Sequence, residues 1–131
     1  MIVGIGHDIV EIGRVEQIVS GPSGSRFMRR VLTEAEMASA AARGARIPEF
    51  VAGRFAAKEA VVKAFGCGIG RIVSFHDMEI IPNEQGQPCC TLSVSAWNRL
   101  GIEVNETRIH VTITHERTMA SAFAVVERLK C

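Results

Sequence analysis

The run Pro48-Glu-Phe-Val-Ala-Gly-Arg-Phe-Ala-Ala-Lys-Glu-Ala-Val-Val-Lys-Ala-Phe-Gly66 decides the architecture. Pro48 suits the first turn of a helix, where its missing N–H costs nothing, and Gly66 suits the left-handed stop after the last turn. Between them the spacing predicts one long helix ending at Phe65, with Phe50, Val51, Phe55, Val62 and Phe65 on one apolar stripe. Arg54 and Lys58 fall inside that stripe, Glu59 lies at its border and Lys63 one turn beyond. A charge on a burying face must be paired or must meet a charged ligand. The alternative is that these side chains snorkel to the surface, with Glu59 and Lys63 forming an ordinary i,i+4 pair.

Working outward from this helix, Met1-Ile-Val-Gly-Ile-Gly-His-Asp8 reads as a short buried strand, its two glycines permitting close backbone approach. A weak helical stripe follows over 10–19, and the residues from Ser20 to Ser25 form a loop. Arg26-Phe-Met-Arg-Arg-Val-Leu32 sets three arginines around four apolar residues. Thr33-Glu-Ala-Glu36 has the form of a capping box and opens an alanine-rich helix ending near Gly44. Beyond the central helix come the stretch from Ile72 to Ile81, a turn over 82–88, a strand from Cys89 to Val94 and a short helix closed by Gly101. Arg108 to Thr114 alternates, with Ile109, Val111 and Ile113 on one face and His110, Thr112 and Thr114 on the other. Met119 to Val126 reads as its antiparallel neighbour. Helices early and strands late predict an α+β fold: one domain over 1–131, its helices packed on a mainly antiparallel sheet.

Composition excludes several classes. The chain has 131 residues, 47% hydrophobic and 22% charged, which suits a single globular domain with a core of its own. A formal net charge of +1 gives no bulk electrostatic argument for nucleic acid. No apolar run approaches the ~20 residues of a membrane span, and no basic-then-apolar leader opens the chain, so a non-exported, cytoplasmic protein is expected. Cys67, Cys89, Cys90 and Cys131 lack the spacing of a zinc or redox motif and are expected as reduced thiols, Cys89 and Cys90 on opposite faces of a strand.

Asp8 has two readings. It could cap the helix that follows, or it could meet Glu59 across the fold as a metal ligand. Two carboxylates without clustered Cys or His are hard-oxygen chemistry and suit Mg²⁺, with water and phosphate oxygens completing its shell. His110 and His115 are an odd number of residues apart, which argues against a shared zinc site; His110, near Arg108, suits a phosphate or hydroxyl, or is simply a half-exposed sheet histidine. Gly66-x-Gly-x-Gly70 follows a helix instead of preceding one, so it is neither a dinucleotide turn nor a P-loop; it offers open backbone beside Lys63.

Gly6-His-Asp8 with Glu11 and Arg14, the frame Gly53-Arg-Phe-Ala-Ala-Lys-Glu-Ala-Val-Val-Lys-Ala64, and Ile109-His-Val-Thr-Ile-Thr-His115 together resemble the motifs of the 4′-phosphopantetheinyl transferases, in particular the short bacterial holo-[acyl-carrier-protein] synthase type. The likeness spans essentially the whole chain, and the middle motif is highly specific. His7 departs from it, since the family more often has a small or apolar residue there. The resemblance implies transfer of the phosphopantetheine arm of coenzyme A to a serine of an apo acyl carrier protein, in support of fatty acid and lipid biosynthesis. It implies Mg²⁺ on Asp8 and Glu59, with Glu59 also the candidate base and Lys63 at the diphosphate. Arg54, Lys58, Gly66, Gly68 and His110 are the further candidates for coenzyme A, although Lys58 could instead pair structurally. It also implies a homotrimer with active sites between subunits. Acyl carrier proteins are acidic, so Arg14, Arg26, Arg29 and Arg30 are candidates for docking, with Phe27 and Met28 as apolar anchors. Two other readings are a non-catalytic module that binds coenzyme A or a nucleotide, and a small trimeric structural protein.

Overall fold

The computed structural model describes residues 1–129; the expectation for Cys131 lies outside the described residues. Five strands and five α-helices follow one another as β1 (Ile2–Glu11), α1 (Ile12–Ser20), α2 (Gly24–Val31), α3 (Glu34–Ala41), α4 (Ile47–Phe65), β2 (Met78–Pro82), β3 (Pro88–Leu92), α5 (Val94–Leu100), β4 (Thr107–His115) and β5 (Met119–Arg128). The expected α+β class holds, and the pairing is antiparallel throughout the strands described. One sheet has the order β1-β5-β4, and β2 and β3 form a separate hairpin. The last strand is therefore central, flanked by the first strand of the chain and by its own hairpin neighbour.

Helix α4 is the axis of the molecule. Pro48 stands in its first turn, and Gly66 caps it in the left-handed conformation at φ 80°, as the sequence predicts. The expected stripe is too narrow a description, because α4 is buried on most of its circumference. One side packs Ala56, Ala60 and Ala64 against Ala122, Ala124 and Val126 of β5. The other meets a second cluster that includes Val15, Val31, Leu32 and Phe75. Small side chains on both partners draw helix and sheet together. At β1 the approach closes completely: a Cβ on Gly4 would lie 1.9 Å from the Ala64 carbonyl oxygen, and one on Gly6 would lie 1.8 Å from that of Ala60.

Three expectations about the N-terminal half change. The first strand runs to Glu11, because its pairing with β5 continues from Gly6↔Ala124 through Glu11↔Met119. Asp8 is thus a strand residue and no helix cap. The strand is also not buried on both faces: Gly6 is buried, whereas Val3, Ile5 and Ile9 are exposed on the side away from α4. The chain from Gly24 onward is already helical, so the loop is shorter than expected.

The capping box is present as read. The Thr33 hydroxyl accepts from the Glu36 N–H at 3.3 Å, and Glu36 Oε1 accepts from the Thr33 N–H at 2.9 Å. The helix it opens stops at Ala41, and a 3₁₀ turn at Gly44–Arg46 leads into α4. Cys89 is exposed and Cys90 half-buried, in line with alternation, and burial pushes the Cys90 thiol up to about 12, keeping it protonated. Within the described residues Cys67, Cys89 and Cys90 are free thiols.

The backbone contact at Gly6 makes a direct test. Gly6→Ala is expected to destabilise the fold by about 3 kcal/mol, at the upper end of overpacking costs, since backbone and not a flexible side chain must yield. Gly13→Ala in α1, where a Cβ meets nothing within 4 Å, is expected to be neutral or to stabilise by about 0.5–1 kcal/mol. Chemical denaturation of both variants measures the contrast.

Candidate functional site

The glycine contact that seats β1 on α4 also aims Asp8. Gly4, Gly6 and Asp8 share the strand face turned toward the helix, and Asp8 stands opposite Ala122 on that same face. Lys63 reaches back from the last turn of α4 to donate to Asp8 Oδ1 at 3.1 Å and to the His7 carbonyl at 3.0 Å. The ion pair of Lys63 is with Asp8, so the i,i+4 pair with Glu59 offered by the alternative reading is not the one formed.

Glu59 lies one turn earlier on α4 and shares with Asp8 a cavity of about 490 Å³, whose wall includes Arg14, Phe27 and Phe55. Burial, then the charge of Asp8, raise the Glu59 carboxyl above its ordinary range, with Lys63 offsetting part of the effect. Two carboxylates that repel each other across one cavity are an arrangement a cation would relieve. No group of three or more His, Cys, Asp and Glu suited to a metal occurs among the described residues. Two carboxylates alone fit Mg²⁺, which ordinarily takes one or two from the protein and fills the remaining positions with water and phosphate oxygens. Glu59 also borders a second cavity of about 360 Å³, lined by Arg30, Ile69 and Phe75. The carboxylate therefore stands between two chambers.

Lys58, a candidate for coenzyme A, is corrected by its burial. Its ammonium is completely enclosed and donates to Glu36 Oε1 at 2.6 Å, the Val31 carbonyl at 2.7 Å and the Phe75 carbonyl at 3.1 Å. All three protons are taken by the protein, so none is left for a phosphate. Its neighbour in the stripe, Arg54, is also largely buried but only partly committed. Nε donates to the Ile80 carbonyl at 3.2 Å, and the guanidinium stacks over Phe50, 4.5 Å from the ring centre. Burial lowers the Arg54 pKa, with Glu36 opposing that effect. Arg54 opens onto a cleft of about 130 Å³ shared with Arg43, Arg46, Glu49 and His115.

That cleft contains a residue whose role the sequence left undefined. His115 lies opposite Ala120 on the sheet face turned toward α4, with Nε2 3.3 Å from Glu49 Oε1. The signal was parity, because 115 shares the face of Ile109, Val111 and Ile113. Within this chain His110 is not brought to Arg54: it projects from the opposite face, where it pairs with Glu127 Oε1 at 2.9 Å. Arg43 and Arg46 carried no signal of their own, since they sit in the short turn before α4.

Gly66 and Gly68 both have positive φ and follow Lys63, with the Gly66 and Cys67 N–H groups closing the helix end on the Lys63 and Val62 carbonyls. On α2, Arg26, Arg29 and Arg30 are exposed while Phe27 and Met28 are half-buried; Arg14 on α1 is exposed at the rim of the larger cavity.

Comparison with known proteins identifies the family. A holo-[acyl-carrier-protein] synthase of Bacillus cereus is 44% identical over 128 residues, covering 97% of each chain. The crystal structure of a holo-(acyl-carrier-protein) synthase of Bacillus anthracis in complex with CoA (3′,5′-ADP) superposes with a TM-score of 0.81 at 43% identity, covering 98% of both chains. That of the Neisseria meningitidis holo-[acyl-carrier-protein] synthase gives 0.86 at 33% identity, covering 98% of this chain and 100% of the other. The family model for the 4′-phosphopantetheinyl transferase superfamily matches residues 4–124, a span that takes in Asp8, α4 and both histidines of β4, and the chain belongs to that superfamily.

Proposed function

We propose that this protein transfers the 4′-phosphopantetheine group of coenzyme A to a serine hydroxyl of an apo acyl carrier protein, releasing adenosine 3′,5′-bisphosphate. The observation that carries the reading is that Asp8 of β1 and Glu59 of α4 line one cavity, with Lys63 ion-paired to Asp8 beside it. In the reaction the serine oxygen forms a bond to the β-phosphorus and the phosphoanhydride bond to the leaving phosphate breaks. Glu59 takes the serine proton, directly or through a water, and its burial raises its basicity toward that task. Asp8 and Glu59 would hold Mg²⁺, which when bound supplies charge stabilisation to the diphosphate. Lys63, now on Asp8, lies within reach of the same region as a point charge.

The cleft of Arg43, Arg46 and Arg54, with Glu49 and His115, concentrates three guanidinium groups suited to the nucleotide phosphates of the same ligand. Gly66 and Gly68 border Lys63 with open backbone. A homotrimer with its sites between subunits supplies what one chain lacks. His110 would then act on the nucleotide from a neighbour, and the exposed apolar sheet face of Val3, Ile5, Ile9 and Phe123 would be covered by another copy. Arg14 and Phe27 line the cavity and Arg30 the smaller one, and with Arg26, Met28 and Arg29 of α2 they suit the acidic surface of a carrier protein. A cytoplasmic location and service to fatty acid and lipid biosynthesis belong to the same reading.

Three measurements test the reading. Intact-mass analysis of an apo carrier protein incubated with coenzyme A, Mg²⁺ and this protein is expected to show the added phosphopantetheine, lost when the metal is chelated; an unmodified carrier leaves only a binding role. Asp8→Ala is expected to abolish metal-dependent transfer while the thermal melt stays cooperative, and full activity would overturn the ligand assignment. Arg14→Glu or Arg26→Glu is expected to raise the KM for the carrier about tenfold and flatten its salt dependence, leaving the KM for coenzyme A unchanged.

A further inference from the structure

Lys58 and Glu36 form an enclosed ion pair that the proposed chemistry does not use. Glu36 is as completely buried as its partner, and its second oxygen accepts from the Ile80 N–H at 2.7 Å. No buried side-chain polar atom among the described residues lacks a hydrogen bond, so the pair sits in a closed network. A well-packed apolar pair of the same volume would commonly serve stability as well or better, because desolvating two ions costs more than their attraction returns. Stability alone therefore does not account for the pair. Its geometry offers another role.

The ammonium ties α4 to two further pieces of chain. One bond goes to the carbonyl of Val31, the last residue of α2, and another to that of Phe75 in the turn before β2. Helix α2 has only eight residues, no side-chain N-cap and no acidic residue in its first turn. Such a helix takes its orientation from tertiary ties. Besides the core packing of Val31, its C-terminal end has two hydrogen-bonded ties among the described residues: Lys58 at the Val31 carbonyl, and His76 Nε2 at the Arg29 carbonyl. From α2 project Phe27, on the wall of both cavities at Glu59, and Arg30, on the wall of the smaller one. Phe27 stacks on Phe55 of α4, and Phe55 packs in turn on Phe75, so the three rings follow the same three elements that Lys58 joins. The anchor and the candidate base are consecutive residues of one rigid helix.

We infer that Lys58, held by Glu36, is a positioning residue that fixes α2, and with it Phe27 and the arginine-bearing docking surface, relative to the Glu59 carboxylate. The inference rests on the transferase reading and adds to it the element that aligns the carrier-protein serine with its base. Loss of the anchor should loosen carrier engagement. The coenzyme A phosphate cleft is coupled to the pair through Arg54, which loses the attraction of Glu36 and the repulsion of Lys58 together when both charges are removed.

The test is a KM-against-kcat split in Lys58→Met/Glu36→Gln, which removes both charges and keeps an acceptor oxygen for the Ile80 or Thr33 N–H. The carrier KM is expected to rise about tenfold, within the cost of misplacing a reacting group by a fraction of an ångström. Affinity for coenzyme A with Mg²⁺, measured by calorimetry, is expected to stay within about twofold, as a tie to α2 alone predicts. Lys58→Arg keeps the charge but not the three-bond geometry; it is measured alongside and carries the test if the double variant does not fold, with the same split expected. An unchanged carrier KM in the folded variant overturns the inference, as does a loss seen only in kcat in proportion to the unfolded fraction, or an equal rise in both KM values. Absence of transfer by the wild-type protein would instead strike the transferase reading itself.

Discussion

The contact between the backbone of β1 and that of α4 is the constraint on which the rest depends. Two glycines remove every atom that would hold the strand off the helix, and the Ala60 and Ala64 carbonyls occupy the space where Cβ atoms would be. Because strand residues alternate, the same approach turns the next residue of that parity, Asp8, to the helix near its C-terminal end. Lys63 can then reach both the His7 carbonyl and the Asp8 carboxylate. A strand held back by even one methyl layer would move the carboxylate away from Glu59. Packing and chemistry are here one requirement, expressed in two residues without side chains.

Beyond its first turn, where Glu49 faces His115, helix α4 carries four charges that meet four different environments. Lys58 is enclosed and neutralised by Glu36; Arg54 is mostly buried but opens onto a cleft; Glu59 is partly buried beside a like charge; Lys63 is about half exposed. Depth explains the division of labour. A fully desolvated cation needs all its donors satisfied within the protein and cannot be released to a ligand without leaving a buried charge unpaired. A half-exposed one loses little when it exchanges one anionic partner for another. Lys58 and Lys63, chemically identical and five residues apart, are thereby assigned to architecture and to ligand, respectively.

Much of this was legible in the sequence because it is local or periodic. The central helix, its proline start and glycine stop, the Thr33–Glu36 capping box and the β4–β5 pairing are all set by neighbours along the chain. The significance of Gly4 and Gly6 could be stated only as tolerance of close approach, since their partners lie some 55 residues away. Separations of 17 to 27 residues hid the fate of Lys58: its helical position marks it as inward-facing, but only the fold brings Glu36 and two carbonyls from other elements to it. His115 was within reach of a parity argument, which would have placed it on the α4 side of the sheet. Arg43 and Arg46 were not, because a short turn has no period from which to infer direction.

Strand parity makes a further division across the sheet. Residues of β1 and β5 that face α4 are mostly glycine and alanine, and those that face away include Ile5, Ile9, Phe123 and Val125, with His7 stacked flat on Phe123 at 4.0 Å and hydrogen-bonded to Ser121 at 3.0 Å. An imidazole fits this outer surface for a physical reason: its face covers the phenyl ring while its nitrogen bonds the adjacent hydroxyl, so the departure from the usual small or apolar residue still presents a flat, largely satisfied patch. Beside it β4 presents His110 and Arg108 on the same outer face. A surface that is apolar at its centre and basic along one edge is what the proposed trimer would use twice. The apolar part would hold the copies together, and the basic edge would reach the phosphates lodged in a neighbour's cleft. Under that arrangement one sheet serves two sites, its inner face completing the cavity of its own chain and its outer edge completing the next.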